Sequence, residues 1–186
     1  MSNKVQEYTI EKSTVENYKV RHPSGMYWAD ITIDDNGTAG RIQIASDYGN
    51  WQNYWSHCGV SFKDFLIGLG IDYSANKFGC NKYFDLNVNM KNVKNHVLEM
   101  RKENFITKDQ ARKLFDEIKE LDVDSIPDAN SFYVTINNTQ HLNEVYYSGE
   151  FDIITSIDPG YEQFWKNVWP VFITELINEK QLSIGK

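Results

Sequence analysis

Apolar and polar residues alternate through Ala29-Asp30-Ile31-Thr32-Ile33-Asp34 and again through Arg41-Ile42-Gln43-Ile44-Ala45. Successive side chains of a strand point to opposite faces. This period of two therefore predicts two strands with Ile31, Ile33, Ile42 and Ile44 on one buried face. Asn36-Gly37 lies between them and supplies the positive φ angles of a tight turn, joining the pair as a β-hairpin. Residues 7–12 and 16–21 read as further short strands. From Ser46 to Gly59, aromatic and amide side chains mix without a clean period, and the stretch reads as a polar-aromatic connection.

Beyond it the period lengthens. Ser61 fits an N-cap for a helix over Phe62–Leu69, with Asp64 three residues on and Gly70 as the stop. A helical turn is expected around Ser74–Phe78. Asp85 can cap a helix running to about Glu103, with Leu86, Met90, Val93, Val97, Leu98 and Met100 on roughly one stripe. Thr107-Lys108-Asp109-Gln110 matches the T-x-x-Q capping box, and Ala111, Leu114, Phe115, Ile118 and Leu121 follow at helical spacing. Ser131–Asn137 and Glu144–Tyr147 read as strands, the first equally well as a helix. Asp158-Pro159 places proline at the first position of a last helix, whose apolar face includes Tyr161, Phe164, Trp165, Val168, Trp169, Phe172 and Leu176. Pro170 cannot donate to the Lys166 carbonyl and should kink that helix. Strands first and helices after predict an α+β fold: a small antiparallel sheet from the N-terminal half packed against several C-terminal helices, in a single domain over residues 1–186.

Composition supports a folded core. The 186 residues include five Trp, eleven Tyr and ten Phe, and each buried ring removes roughly 150–250 Å² from water. The first residues are polar and unlike a leader peptide, and no apolar run approaches the roughly 20 residues of a membrane span. Cys58 and Cys80 are the two cysteines, without a CxxC, which suits a reducing compartment. These features predict a soluble, cytoplasmic protein with no membrane contact. The net charge of −7 is unevenly spread, since residues 116–165 hold 11 carboxylates and one lysine. Such a window repels nucleic acid and favours a basic partner; it equally serves as ordinary solvated surface.

Catalytic chemistry finds little support. The sequence contains no GxxxxGK[ST], GxGxxG or GxSxG. His22, His57, His96 and His141 show no metal-ligand spacing. Cys58 adjoins His57, but neighbours in an extended chain face opposite ways. Neither a cofactor nor a metal is implied. The candidate binding residues come from two places. One is the aromatic stretch, with Asp47, Tyr48, Asn50, Trp51, Tyr54, Trp55 and His57; Tyr and Trp give large contact area with few rotatable bonds, although Trp51 and Trp55 could also simply cover the end of the sheet. The other is the acidic run Asp116, Glu117, Glu120, Asp122 and Asp124, which would steer a basic partner or imitate the charge array of DNA.

Longer motifs carry a resemblance. Gly25-Met26-Tyr27-Trp28-Ala29-Asp30, the Gly40–Trp51 segment with Ser46-Asp47-Tyr48-Gly49-Asn50-Trp51, Phe62-Lys63-Asp64-Phe65-Leu66-Ile67, Ile71-Asp72-Tyr73, Asn76-Lys77-Phe78-Gly79, Phe164-Trp165 and Trp169-Pro170-Val171-Phe172 together resemble a family of uncharacterised proteins encoded by tailed phages and prophages. The resemblance covers about residues 20–180 and brings no catalytic residues with it. It implies a non-enzymatic accessory protein of the host bacterial cytoplasm that binds a host macromolecule, a protein or protein complex, and inhibits a defence nuclease or a DNA-binding complex. The alternatives are an enzyme acting on nucleic acid or nucleotides, which would need Asp47, His57 and a further carboxylate to converge in a cleft, and a nucleic-acid-binding module.

Overall fold

The hairpin forms where the alternation places it. In the computed structural model, which describes residues 8–146 and 152–184, β2 (Ala29–Asp35) pairs antiparallel with β3 (Gly40–Ser46), Ile31 opposite Ile44 and Ile33 opposite Ile42. All four isoleucines are buried. Gly37 takes the positive φ of the turn, its N–H held by Asp35 Oδ1 at 2.8 Å. On one side β2 pairs with β1 (Glu16–Val20); on the other β3 pairs with β4 (Gly49–Trp55), giving an antiparallel sheet of order β1-β2-β3-β4. Residues 8–12 hold no regular structure, contrary to the expected first strand, whose residue 7 lies outside the described residues. The stretch read as a connection from Ser46 to Gly59 is largely β4.

Helices follow the capping signals. The Ser61 side chain accepts from the Asp64 amide and opens α1 (Phe62–Ile67), which stops at Gly68, earlier than Gly70. Gly70 instead begins α2 (Ile71–Phe78). After β5 (Tyr83–Phe84), Asp85 caps α3 (Leu86–Lys102), and the reciprocal Thr107–Gln110 box caps α4 (Lys108–Glu120). A single 3₁₀ turn (Val123–Ser125) leads to α5 (Ala129–Asn138) and α6 (Gln140–Tyr146). Ser131–Asn137 is therefore helical, because Asp128 caps it and Phe132 and Ile136 fall on one buried face. Glu144–Tyr146 is helical as well, and Tyr147 lies outside the described residues. The chain ends with β6 (Thr155–Ser156), α7 (Pro159–Asn167) and α8 (Trp169–Ile184). Pro170 does more than kink a helix: the helix stops at Asn167 and restarts at Trp169, where a missing N–H costs nothing. The stacked rings of Trp165 and Trp169, 4.9 Å apart, bridge the break.

The fold is α+β, a four-stranded N-terminal sheet with helices following, and its contacts divide into two units. Residues up to Cys80 and from Asp158 onward form the first; Asn81–Ile157 form the second. In the second unit Val93 and Val97 of α3, Leu114 and Ile118 of α4, and Phe132 and Ile136 of α5 make one core. In the first, α1, α2, α7 and α8 cover the inner face of the sheet, where Phe62, Leu66, Tyr161, Phe164 and Phe172 are fully buried. Lys63 adds a polar tie: its ammonium donates to Glu16 (2.7 Å), Glu179 (2.8 Å) and the Tyr18 hydroxyl (3.1 Å), joining β1, α1 and α8. Among the described residues, no helix is long and apolar enough to cross a membrane.

Gly40 is fixed by the ring beneath it. A Cβ there would overlap the Phe62 ring, which is fully buried and has nowhere to go. Gly40→Ala should cost about 1–3 kcal/mol through overpacking, read as a lowered denaturation midpoint; unchanged stability would show that the helix α1 yields at this point.

Candidate functional site

The pleat of β4 divides the aromatic stretch between two faces. Trp51 and Trp55 point inward with Asn53. Trp51 meets Tyr161 edge-on at 4.9 Å and Phe164 at 5.0 Å. Trp55 is buried among Phe62, Phe65 and Phe78 and donates its indole N–H to Tyr73 at 3.1 Å. These two rings pack the molecule; Trp51 remains half-buried. Asn50, Gln52 and Tyr54 point outward and are exposed.

That outer face is a built surface. The register aligns Asn17, Thr32, Gln43 and Gln52 in one row across all four strands. Within it Asn17 donates to the Thr32 hydroxyl (2.9 Å) and Gln43 to the Gln52 carbonyl oxygen (3.3 Å). On one side runs a row of Lys19, Asp30, Ala45 and Asn50; on the other, Asp34 faces Arg41, whose guanidinium lies 5.9 Å from the Tyr54 ring. Asp30 is held by Arg21 at 2.5 Å. Lys19, Arg21 and Arg41 thus stand against Asp30 and Asp34 on this face, and a shallow cavity of about 440 Å³ lies over the rows of Thr32, Gln43, Gln52, Ala45 and Asn50. Sequence reasoning missed Thr32 and Gln43, although they are the polar half of the alternation that gave the buried isoleucines, and Gln52, which sits on a strand without such an alternation.

Asp47 and Tyr48 sit in the turn between β3 and β4. Asp47 Oδ2 accepts the Tyr27 amide at 2.6 Å, holding Tyr27 at a φ of 59°, a left-handed conformation uncommon for a bulky residue. The Tyr48 hydroxyl accepts from Asn167 (3.1 Å), and its ring stacks at 6.1 Å on Tyr27. His57 is exposed just past the other end of β4. Asp47 and His57 are therefore separated by about 20 Å of strand at about 3.3 Å per residue, and the catalytic cleft that would join them does not form. Among the described residues no cluster of His, Cys, Asp and Glu could hold a metal ion.

The acidic run is mostly engaged in local structure. Glu117 reaches the start of α6, accepting from the amides of His141 (3.0 Å) and Leu142 (3.1 Å) and contacting the His141 ring at 2.5 Å. Burial opposes its charge, but the His141 ring and the two amides outweigh burial and hold Glu117 below the ordinary glutamate range. Asp122 caps the 3₁₀ turn by accepting the Asp124 amide, and Asp116 lies 3.5 Å from Lys119. Glu120 and Asp124 are exposed. A periodic array of free carboxylates on one face is not what these contacts build.

The Phage_phiTE_072 model, described as a phage family, matches residues 8–179. No curated protein and no solved structure matches the chain significantly.

Trp55→Ala should cost about 3–5 kcal/mol, as for other enclosed aromatics, a loss visible in thermal melts; a melt within the wild-type error would return Trp55 to the list of surface anchors. For Glu117 the direction is set by its lowered pKa. Its stabilisation is complete above the ordinary glutamate value and is lost as pH falls through the folded value. Glu117→Gln should cost about 1–3 kcal/mol near neutrality, and the gap should close in acid. A gap independent of pH would mean that its charge contributes nothing.

Proposed function

The chain belongs to that phage family, and on this footing we propose that it is a non-enzymatic accessory protein which binds a host protein in the cytoplasm through the outer face of its sheet. The observation that carries this reading is the uncovered row of Asn17, Thr32, Gln43 and Gln52, flanked by Asn50 and Tyr54. Amide and hydroxyl side chains adapt their hydrogen bonds to a protein surface, and a tyrosine adds rigid contact area. With Asp30 and Asp34 among its few cations, the face has too little positive charge to hold a phosphate backbone, which takes several neutralising cations. The partner class is a basic one, a defence nuclease or another DNA-binding complex. The net charge of −7 supports this, since it draws a basic protein in during diffusion. Two free cysteines fit a reducing cytoplasm.

Asn50→Arg/Gln52→Arg changes only exposed positions on this face. The variant should melt like the wild type and fail to recover the protein partner that the wild type captures from host extract. Equal recovery by the two would exclude the face. Once that partner is purified, its association rate should fall clearly as ionic strength rises; a rate indifferent to salt would remove charge steering from the account.

A further inference from the structure

A second surface, independent of the outer face, lies along the free edge of β1. In the order β1-β2-β3-β4, β1 pairs among the described residues with β2 alone. An antiparallel edge strand leaves the N–H and C=O of alternate residues pointing outward, ready to pair with another chain. Two open grooves run along this edge. One, of about 530 Å³, lies between Asn17–Val20 of β1 with the following Arg21 and the α8 residues Val171, Glu175 and Glu179. The other, of about 440 Å³, continues past Val20 and Arg21 to Tyr27, Gln163 and Asn167. They share Val20, Arg21 and Val171. Because consecutive β1 residues line the first groove, it follows the strand's backbone edge rather than one of its faces. Four strand residues at about 3.3 Å each give a channel of about 13 Å, matched to a short extended segment.

We propose that this groove accepts an extended peptide segment of another protein, added to the sheet as a fifth strand beside β1, with an aliphatic side chain on Val20 and Val171 and a basic side chain at Glu175. Each part of that occupant follows from the groove. Main-chain pairing with a strand edge supplies affinity, and the side-chain pockets supply selectivity. Val171 is 55% exposed at the point where the two grooves meet, an apolar contact waiting for a partner. On the α8 wall, Glu179 is committed to Lys63 at 2.8 Å, whereas Glu175 is exposed beside it. A cation on the α8 side of the incoming segment would therefore meet Glu175, while Lys19 lines the groove on the strand side. At the far end the Arg21 guanidinium donates to the Val20 and Ala29 carbonyls and pairs with Asp30, which closes the ladder there.

The test uses the whole protein and a synthetic nine-residue peptide of alternating valine and threonine with lysine at one end. Amide shifts on titration should map to Asn17–His22 and to Val171–Glu175, and hydrogen exchange should slow at alternate β1 amides. A peptide with glutamate in place of lysine should bind about tenfold more weakly, and Glu175→Lys should invert that preference. An N-methylated version of the lysine peptide, unable to form the ladder, should not bind. The proposal is overturned by shifts confined to other surfaces, by undiminished binding of the N-methylated peptide, or by no shift at about 1 mM peptide. Protection of the β1 amides in the free protein, rising with its own concentration, would equally overturn it, because a second copy would then be the occupant. Loss of the outer-face partner leaves this result untouched, since the peptide titration involves neither Asn50 nor Gln52.

Discussion

A chain of aromatic rings between the sheet and its helices holds the first unit together. From Tyr18 on β1 it passes to Phe172 and Trp169 of α8 (5.2 and 5.3 Å), then to Phe164 of α7 and Trp51 of β4 (6.2 and 5.0 Å). Tyr161 and Phe78 continue it to Trp55, which closes on Phe62 and Phe65 of α1. Ring pairs in tilted and edge-on geometry each add about 0.5–1.5 kcal/mol beyond the area they bury. One buried polar link completes the layer: the Tyr161 hydroxyl donates to Ser74 at 2.7 Å, and Ser74 donates to the Ile71 carbonyl. Burial raises the Tyr161 pKa, keeping that hydroxyl neutral and able to donate.

This layer dictates what remains for the surface. Because every large apolar side chain of β2, β3 and β4 except Tyr54 turns inward, the outer face is left with hydroxyls, amides and charges of both signs. An apolar outer face would have required a cover; this one is stable in water and still offers a flat array of hydrogen-bonding groups. The same layer sets β1 above α8 through Tyr18 and Phe172, which leaves the strand edge open while α8 supplies a wall alongside it. Both candidate surfaces are consequences of where the rings go.

Local signals in the sequence were sufficient wherever one physical cause dominated. The isoleucine alternation, the Ser61, Asp85 and Asp158 caps and the Thr107–Gln110 box each appear in the structure as read. The phage resemblance also agrees with the family match at the level of a phage-encoded family. β4 was obscured because Asn53 interrupts its inward face between Trp51 and Trp55, so the strand has no apolar period to detect. Phe132 to Ile136 misled in the opposite sense: Phe-Tyr-Val-Thr-Ile has strand composition, and only burial of positions four apart makes it a helix. Places where a site depends on register across strands, such as the row from Asn17 to Gln52, cannot be read from one strand at a time. The breaks at Cys80 and Asp158 carry no linker composition either; there the Asp158 amide donates to the Cys80 carbonyl at 2.7 Å, joining chain positions far apart in sequence.

The acidic stretch shows how composition and contact surface come apart. A carboxylate that caps a helix keeps its charge, so Glu117, Asp122 and Asp128 still contribute to the field around the protein even though their oxygens are taken. Such a field acts over roughly the Debye length, about 10 Å at 0.1 M salt. It can raise the rate at which a basic partner arrives without supplying the groups that hold it. On the proposed binding role, retention would fall to surfaces whose hydrogen-bonding groups are still available, the amide row of the sheet and the outer edge of β1. On that proposal, acidity on this chain would govern the kinetics of encounter, and the neutral polar surfaces the strength of the complex.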